Sequence, residues 1–107
     1  GHWIRAKGAD TFCPLGPWMV THFSIAEASH RQIVTRLDGR EVQHGNTDQM
    51  VHTIPKLISH ISSFMTLLPG DVILTGTPAG VGPMEPGQRV EVEIEGIGTL
   101  TNTVEEV

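Results

Sequence analysis

The chain has 107 residues, a formal net charge of −5 and one cysteine. This length allows a single small domain, and the mildly acidic, dispersed charge argues against nucleic acid or an anionic membrane as a partner. The apolar runs are far shorter than the ~20 residues that span a bilayer, and the lone cysteine excludes an internal disulfide and fits a reducing cytoplasm.

Residues 1–24 show neither a helical nor a strand period and are predicted to be irregular or extended. Within them, Cys13 stands between Phe12 and Pro14-Leu15. These apolar neighbours favour a buried, unreactive thiol over a catalytic nucleophile.

The next predicted element is a β-hairpin over residues 33–43. Residues 33–37 and 40–43 have the composition of strands, and Asp38-Gly39 between them is a strong signal for a two-residue hairpin turn. A polar loop over residues 44–48 is expected to follow.

One convincing helix comes after the hairpin. Thr53 is a suitable N-cap, and Pro55 is tolerated in the first turn because its missing N–H would have no partner there. Apolar residues recur at the spacing of one buried helix face, namely Ile54, Leu57, Ile58, Ile61 and Phe64. Pro69-Gly70 ends the segment.

Residues 70–82 predict a buried strand that runs into a ligand-binding loop. Val72 and Ile73 belong to the strand, and the loop begins with Thr75-Gly76-Thr77-Pro78. Backbone N–H groups and threonine hydroxyls gathered at one point suit a carboxylate or another oxyanion. Glycines allow the main chain to approach a ligand closely or to adopt a positive φ, and they stand at Gly76, Gly80 and Gly82. The alternative is a tight surface turn, since Gly and Pro occur in any loop.

The tail of the chain alternates between apolar and acidic residues. Val90, Val92 and Ile94 are predicted to face one side of a strand, with the solvent side formed by Glu91, Glu93 and Glu95. Gly96 and Gly98 then bend the chain into a last strand over residues 100–104. Together the elements predict a mostly β domain with one main helix, an α+β fold.

Lys7 is the candidate catalytic residue. It stands among Ala6, Gly8 and Ala9, and an ammonium group beside small or apolar residues is partly desolvated and can face an anionic substrate. Asp10 and Thr11 follow closely enough to share its site. The alternatives are a solvated surface lysine and an aspartate that caps a turn.

The sequence offers no metal site of its own. The six histidines lack a ligand spacing such as His-x₃-His, and the three glutamates of the tail fit the solvent face of a strand. Gln43, Asn46 and Thr47 either hydrogen-bond a polar ligand or are ordinary turn residues.

Three segments of the chain resemble one known family. They are residues 5–18, which contain Lys7-Gly8-Ala9-Asp10-Thr11, residues 43–50 with Asn46-Thr47, and residues 69–82 continuing to Thr103. In this order and spacing they are similar to the C-terminal half of the catalytic domain of the fumarylacetoacetate hydrolase family. Its members include acylpyruvate hydrolases, oxaloacetate decarboxylases and the isomerases and decarboxylases of homoprotocatechuate breakdown. The resemblance covers residues 1–107 and implies part of a mixed, rolled β-structure that is usually dimeric.

The resemblance implies roles for several residues. Lys7 matches the active-site lysine, Thr77 matches the threonine that binds a substrate carboxylate, with Thr75 and Gly76 beside it, and Thr11 matches a position near the cation. The family holds Mg²⁺ or Mn²⁺ through two glutamates of a Glu-x-Glu segment and an aspartate, all before the lysine segment. We therefore expect the metal-binding, N-terminal part to be absent from this chain. His52 stands where relatives carry an aromatic residue, and we expect an effect on packing alone.

The resemblance thus implies a piece of a divalent-metal enzyme that acts on small 2-oxo acids. The reaction is either C–C bond hydrolysis of acylpyruvate- or fumarylacetoacetate-like substrates, or decarboxylation or isomerisation of 2-hydroxyhepta-2,4-diene-1,7-dioate-like substrates. We expect a cytoplasmic homodimer that binds neither nucleic acid nor membrane. The alternative is a non-catalytic C-terminal fragment that serves as a carboxylate-binding or oligomerisation module.

Overall fold

The structure is a computed structural model that describes residues 7–106, and its centre is a four-stranded antiparallel sheet. The strands are β1 (Gln32–Leu37), β2 (Arg40–Asn46), β3 (Arg89–Ile94) and β4 (Gly98–Thr103), in the spatial order β2-β1-β3-β4. Two α-helices lie within the range of these strands and the segment before them, α1 (Ile25–Ala28) and α2 (Ile54–Ser62). The predicted fold class, mostly β with one main helix, is confirmed.

The β1–β2 hairpin turns at the predicted dipeptide. Asp38 has φ +50° and Gly39 has φ +81°, as a two-residue type I′ turn requires, and Leu37 pairs with Arg40. The polar loop predicted at residues 44–48 is wrong at its start. Strand β2 continues to Asn46 because the ladder with β1 continues, and Thr47–Gln49 then forms a 3₁₀ turn.

A β-bulge interrupts the hairpin. Thr35 pairs with Gln43 and Arg36 with Glu41, so Val42 is one extra residue on β2. An extra residue re-aims the side chains of the bulged strand. Here it places two consecutive side chains on the same side of the sheet, since Val42 lines a cavity with Leu37 and Gln43 bonds to Thr77.

Helix α2 begins as predicted. The Thr53 hydroxyl accepts a hydrogen bond from the Lys56 N–H at 3.3 Å, and Pro55 occupies the first turn. Its apolar stripe is only partly covered, because Ile54, Leu57 and Ile61 are half-buried whereas Ile58 and Phe64 are exposed.

Helix α1 was not predicted, although its signal is local. Ser24 accepts from the Glu27 N–H at 3.1 Å, and the Glu27 carboxylate accepts from the Ser24 N–H at 2.7 Å. This is the capping box that a Ser-x-x-Glu sequence encodes.

Strand β3 is present as predicted, although residues 90–94 are all half-buried and do not alternate between buried and exposed. Val90 and Val92 pair with Leu37 and Thr35 on one face of the sheet. On the other face, Glu93 is bonded to Arg36 at 2.9 Å and is therefore partnered as well as solvated.

The strand predicted over residues 70–74 is wrong. None of these residues is paired in a sheet within the described range 7–106, and Val72 and Leu74 are 58% and 75% exposed. A strand requires a neighbour to satisfy its backbone N–H and C=O groups. Apolar composition alone does not supply that neighbour.

The predicted burial of Cys13 is also wrong, because the thiol is exposed. Phe12 and Leu15 beside it are exposed too. Apolar neighbours in sequence do not bury a thiol unless another segment packs over them. Over residues 7–106, no helix is long and apolar enough to cross a bilayer.

Candidate functional site

The 75–80 loop (residues 75–80) packs directly on strand β2. A Cβ added to Gly45 would lie 3.0 Å from Cβ of Pro78, and the carbonyl oxygen of Val42 occupies the place that a Cβ on Gly80 would take. Gly80 also has φ +108°. Glycine is therefore required at position 80 both by backbone conformation and by space.

Gln43 connects the same strand to the same loop by hydrogen bonds. Its side-chain nitrogen Nε2 donates to Oγ1 of Thr77 and to the carbonyl oxygen of Pro78, both at 2.8 Å. The sequence indicated Gln43 only as a candidate ligand group or a turn residue. The structure shows that its amide group is bonded within the protein.

A cavity of about 310 Å³ opens beside this contact. Its lining comes from the end of β2 and the following turn, from the segment before α2, and from the loop, and it includes Ile33, Asn46, Thr47, Met50, His52, Leu57, Thr75, Gly76 and Thr77. A concave, mostly apolar site with a few polar groups is typical of small-molecule binding.

All three residues predicted to bind substrate line this cavity. Thr75 and Thr77 bring hydroxyl groups, and Gly76 lies between them with φ +101°. A Cβ added to Gly76 would have nothing within 4 Å, so the turn and not crowding requires glycine there. Gly82 does not have a positive φ, and a Cβ there would have nothing within 4 Å, so its close approach to a ligand stays a prediction.

Lys7 and Thr11 are not among the described residues that line the cavity. Lys7 is exposed, and Thr11 has φ +67°, a conformation that β-branched residues rarely adopt. The catalytic role of Lys7 and the position of Thr11 near a cation stay predictions.

Asn46 and Thr47 line the cavity but use their side chains in the scaffold. The side-chain oxygen Oδ1 of Asn46 accepts from the Asp48 N–H at 3.0 Å. The Thr47 hydroxyl accepts from the Arg31 N–H at 2.9 Å and donates to the carbonyl oxygen of Ala28 at 2.8 Å. These hydrogen bonds favour the interpretation of Asn46 and Thr47 as turn residues over their interpretation as ligand-binding residues.

The two side chains with clearly shifted pKa values, Glu27 and Arg36, lie outside the cavity lining. Hydrogen bonds from the Ser24 backbone and side chain lower the pKa of Glu27, and the hydrogen bond to Glu93 raises the pKa of Arg36. Neither side chain lines the cavity. Across residues 7–106, no three His, Cys, Asp or Glu side chains cluster as metal ligands.

Several lining residues carried no sequence signal for a site. Met50 and Leu57 read as ordinary apolar residues, and His52 was expected to affect packing alone. They reach the cavity because the chain between β2 and α2 folds back towards the 75–80 loop, a tertiary arrangement that no local pattern encodes.

Comparison with known proteins supports the family resemblance seen in the sequence. The family model described as "Fumarylacetoacetate (FAA) hydrolase C-terminal" matches residues 1–105. The human protein oxaloacetate tautomerase FAHD2A, mitochondrial, is 47% identical over 109 aligned positions, which cover 95% of this chain and 35% of that protein.

Two solved structures are also similar. The 2-hydroxyhepta-2,4-diene-1,7-dioate isomerase of Mycobacterium marinum is 53% identical with a TM-score of 0.90, over 96% of this chain and 40% of that one. A maleylpyruvate hydrolase of Sphingobium sp. SYK-6, in complex with manganese(II) ion and pyruvate, is 38% identical with a TM-score of 0.85, over 90% of this chain and 36% of that one. The chain spans about two fifths of the length of the relatives that it matches.

Proposed function

Because the chain belongs to the fumarylacetoacetate hydrolase family, we propose that it forms the C-terminal portion of a longer, divalent-metal-dependent enzyme for small 2-oxo acids. Its relatives include enzymes that are named for tautomerase, isomerase and hydrolase activities. These reactions differ in the bond that changes, so the shared site is proposed to bind and polarise the acid rather than to select one outcome.

The observation that carries the proposal is the cavity beside the 75–80 loop. It presents the Thr75 and Thr77 hydroxyl groups from a glycine-containing turn, and its volume of about 310 Å³ suits a small acid. Hydroxyl and backbone N–H donors are the groups that bind a carboxylate. We assign this end of the cavity to a substrate carboxylate.

The substrate class rests on chemistry that the relatives share. One relative is named for oxaloacetate, and another is solved with pyruvate, and both compounds are 2-oxo acids. We propose a 2-oxo acid with a second carboxylate or carbonyl group, which Thr77 holds at the end opposite the 2-oxo group.

A divalent cation, Mg²⁺ or Mn²⁺, fits this family, since one relative is solved with manganese. Residues 7–106 do not provide three clustered ligands for it. We therefore propose that residues outside this chain hold the cation, while the chain's own side chains bind and orient the acid.

Lys7 is proposed to supply positive charge where an enolate or a leaving carboxylate forms. A preorganised cation of this kind acts mainly on the transition state, whereas Thr77 holds a carboxylate whose charge changes little during the reaction. The two residues should therefore affect different kinetic constants.

The test compares Lys7→Ala and Thr77→Val in the complete polypeptide, loaded with Mn²⁺ and assayed with oxaloacetate and acylpyruvates. We expect Lys7→Ala to lower kcat by about 10²–10³-fold, the loss typical of one preorganised charge, with a small change in KM. We expect Thr77→Val mainly to raise KM.

A Lys7→Ala protein with near-normal turnover would refute the catalytic role. If the wild-type polypeptide turned over none of these acids but Thr77→Val still raised the Kd for oxaloacetate, a carboxylate-binding module that does not need Lys7 would be the better description. Gel filtration of the complete polypeptide tests the proposed homodimer. A reducing compartment such as the cytoplasm fits the exposed free thiol of Cys13.

A further inference from the structure

We propose that Gln43 is a positioning residue that sets the Thr77 hydroxyl as a hydrogen-bond donor towards the bound carboxylate. The inference rests on the proposed function, because it assumes that Thr77 contacts an anionic ligand. It adds a residue from strand β2 to the recognition of that ligand.

The orientation of the Gln43 amide group follows from its two contacts. Nε2 lies 2.8 Å from the carbonyl oxygen of Pro78, an atom that only accepts hydrogen bonds. The reversed amide would place an oxygen against this oxygen, so the nitrogen must face the loop. Its two hydrogens then go to Pro78 and to Oγ1 of Thr77, which also lies at 2.8 Å.

This arrangement decides what the Thr77 hydroxyl can do. Its oxygen accepts from Gln43, so its own proton points to another partner. In the described part of the chain no acceptor takes that proton, and Thr77 lines the cavity. A hydroxyl group beside a cavity that already accepts a hydrogen bond has its proton to donate, which suits an anionic oxygen and disfavours a ligand group that can only donate.

Thr47 provides the contrast within the same cavity. Its hydroxyl accepts from Arg31 and donates to Ala28, so its proton is used inside the protein. Unlike that of Thr47, the Thr77 hydroxyl proton has no acceptor among residues 7–106 and can be donated to a ligand.

Contacts of the backbone around Gln43 hold strand β2 and the 75–80 loop together. Gln43 and Gly45 are two residues apart on β2, so both face the loop, where Gln43 bonds to Pro78 and Gly45 lies against its ring. The Val42 carbonyl group packs against Gly80, and these contacts together hold Gln43 next to Thr77.

The experiment is a double-mutant cycle in the Mn²⁺-loaded complete polypeptide, with oxaloacetate as the probe. The variants are Gln43→Met, Thr77→Val and the pair, measured by equilibrium titration and by steady-state kinetics. We expect Thr77→Val to weaken binding by about 10–100-fold, as for a lost hydrogen bond to a charged group. Gln43→Met should weaken it by about 3–10-fold, because the hydroxyl keeps its proton but loses its orientation.

The pair should bind no more weakly than Thr77→Val alone, since Gln43 acts only through Thr77. KM should rise in Gln43→Met while kcat stays within about twofold, which a general loss of structure would not produce. Thermal unfolding of each variant checks that the fold is retained.

A charge control separates orientation from electrostatics. Gln43→Glu removes both donors and adds a negative charge, whereas Gln49→Glu adds the charge at the same cavity but keeps the acceptor that bonds to the Asn46 N–H. We expect Gln43→Glu to weaken binding several-fold more than Gln49→Glu. Equal losses in the two variants would overturn the positioning role.

The outcomes distinguish the two proposals. If Thr77→Val weakens binding but Gln43→Met does not, or if their effects add, the positioning role is wrong and the proposed function stands. If Thr77→Val binds oxaloacetate as the wild type does, or if the wild type does not bind it, the proposed function fails first and the positioning role fails with it.

Discussion

Thr47 is a scaffold residue and Thr77 is a candidate ligand residue, and the two differ in whether the hydroxyl proton is bonded within the protein. Thr47 and Thr77 line the same cavity, but Thr47 both accepts and donates within the protein, whereas Thr77 accepts from Gln43. Residue type and location do not distinguish them. The hydrogen-bond partners do, and these come from segments distant in the chain.

Gly80 is the residue at which the loop depends most on the absence of a side chain. We expect Gly80→Ala to destabilise the fold by about 1–3 kcal/mol more than Gly76→Ala, because both strain a positive φ but only Gly80 meets the Val42 carbonyl group. Urea unfolding of the two variants measures the difference. Equal losses would mean that the contact with β2 is not tight.

Glu27 gives the fold a predictable dependence on pH. Its hydrogen bonds to Ser24 lower its pKa below the ordinary value of 4.5, so the stabilisation is present above that pH and is lost as the pH falls through the lowered pKa. Glu27→Gln keeps an acceptor but removes the charge.

We therefore expect the Tm of the wild type to exceed that of Glu27→Gln at neutral pH, and the two Tm values to converge in acid as the Glu27 carboxylate becomes protonated. Thermal melts at neutral and acidic pH test this. A difference that persists unchanged in acid would contradict the role of the ionised carboxylate.

At the scale of elements, the hairpin turn and the caps are local, and each can be tested by itself. Asp38-Gly39 forms the turn of the β1–β2 hairpin with two residues at positive φ, and Thr53 caps α2. Both were predicted from a few adjacent residues.

For the hairpin, we expect Gly39→Ala to lower the free energy of unfolding by about 1–2 kcal/mol, the cost of a left-handed conformation for an L-residue. Space is not the cause, since nothing lies within 4 Å of a Cβ at Gly39. Gly82→Ala is the matched control, because its site is equally open and its φ lies outside the left-handed region. A loss in Gly82→Ala of the same size would refute the conformational explanation.

At the scale of the whole molecule, the chain exposes far more surface than a compact domain of its size. Its accessible surface is 8537 Å², against about 5,800 Å² expected for a folded monomer of its mass. The radius of gyration is 15.1 Å, against about 13 Å for a compact domain of its length. Val34 and Leu37, each 8% exposed, are the buried hydrophobic residues of the described part. Several large apolar side chains, including Val72 and Leu74, are exposed to solvent.

The metal site of the whole enzyme is proposed to depend on residues outside this chain. We expect this chain alone to bind Mn²⁺ weakly, because its described residues bring no three ligands together. Titration calorimetry of the chain and of the complete polypeptide makes the comparison. A stoichiometric, micromolar site on the chain alone would contradict the assignment of the ligands to other residues.

The sequence by itself determined the features that depend on neighbours a few residues apart. The turn at Asp38-Gly39, the cap at Thr53 and the presence of strand β3 were predicted correctly, because dihedral preferences, orphan N–H groups and the two-residue period of a strand act locally. The resemblance likewise indicated the threonines of the 75–80 loop, because a short motif carries them.

Only the tertiary structure decided where those local pieces meet. It showed that residues 70–74 lack a strand partner within the described chain, that Cys13 is exposed, and that Gln43 on β2 bonds to Thr77 in the 75–80 loop. Strand pairing, burial and side-chain contact all require a second segment, and many weak contacts along the chain together determine where that segment lies. No single stretch of sequence specifies all of these contacts, so only the three-dimensional structure identified Gln43 as the partner of Thr77.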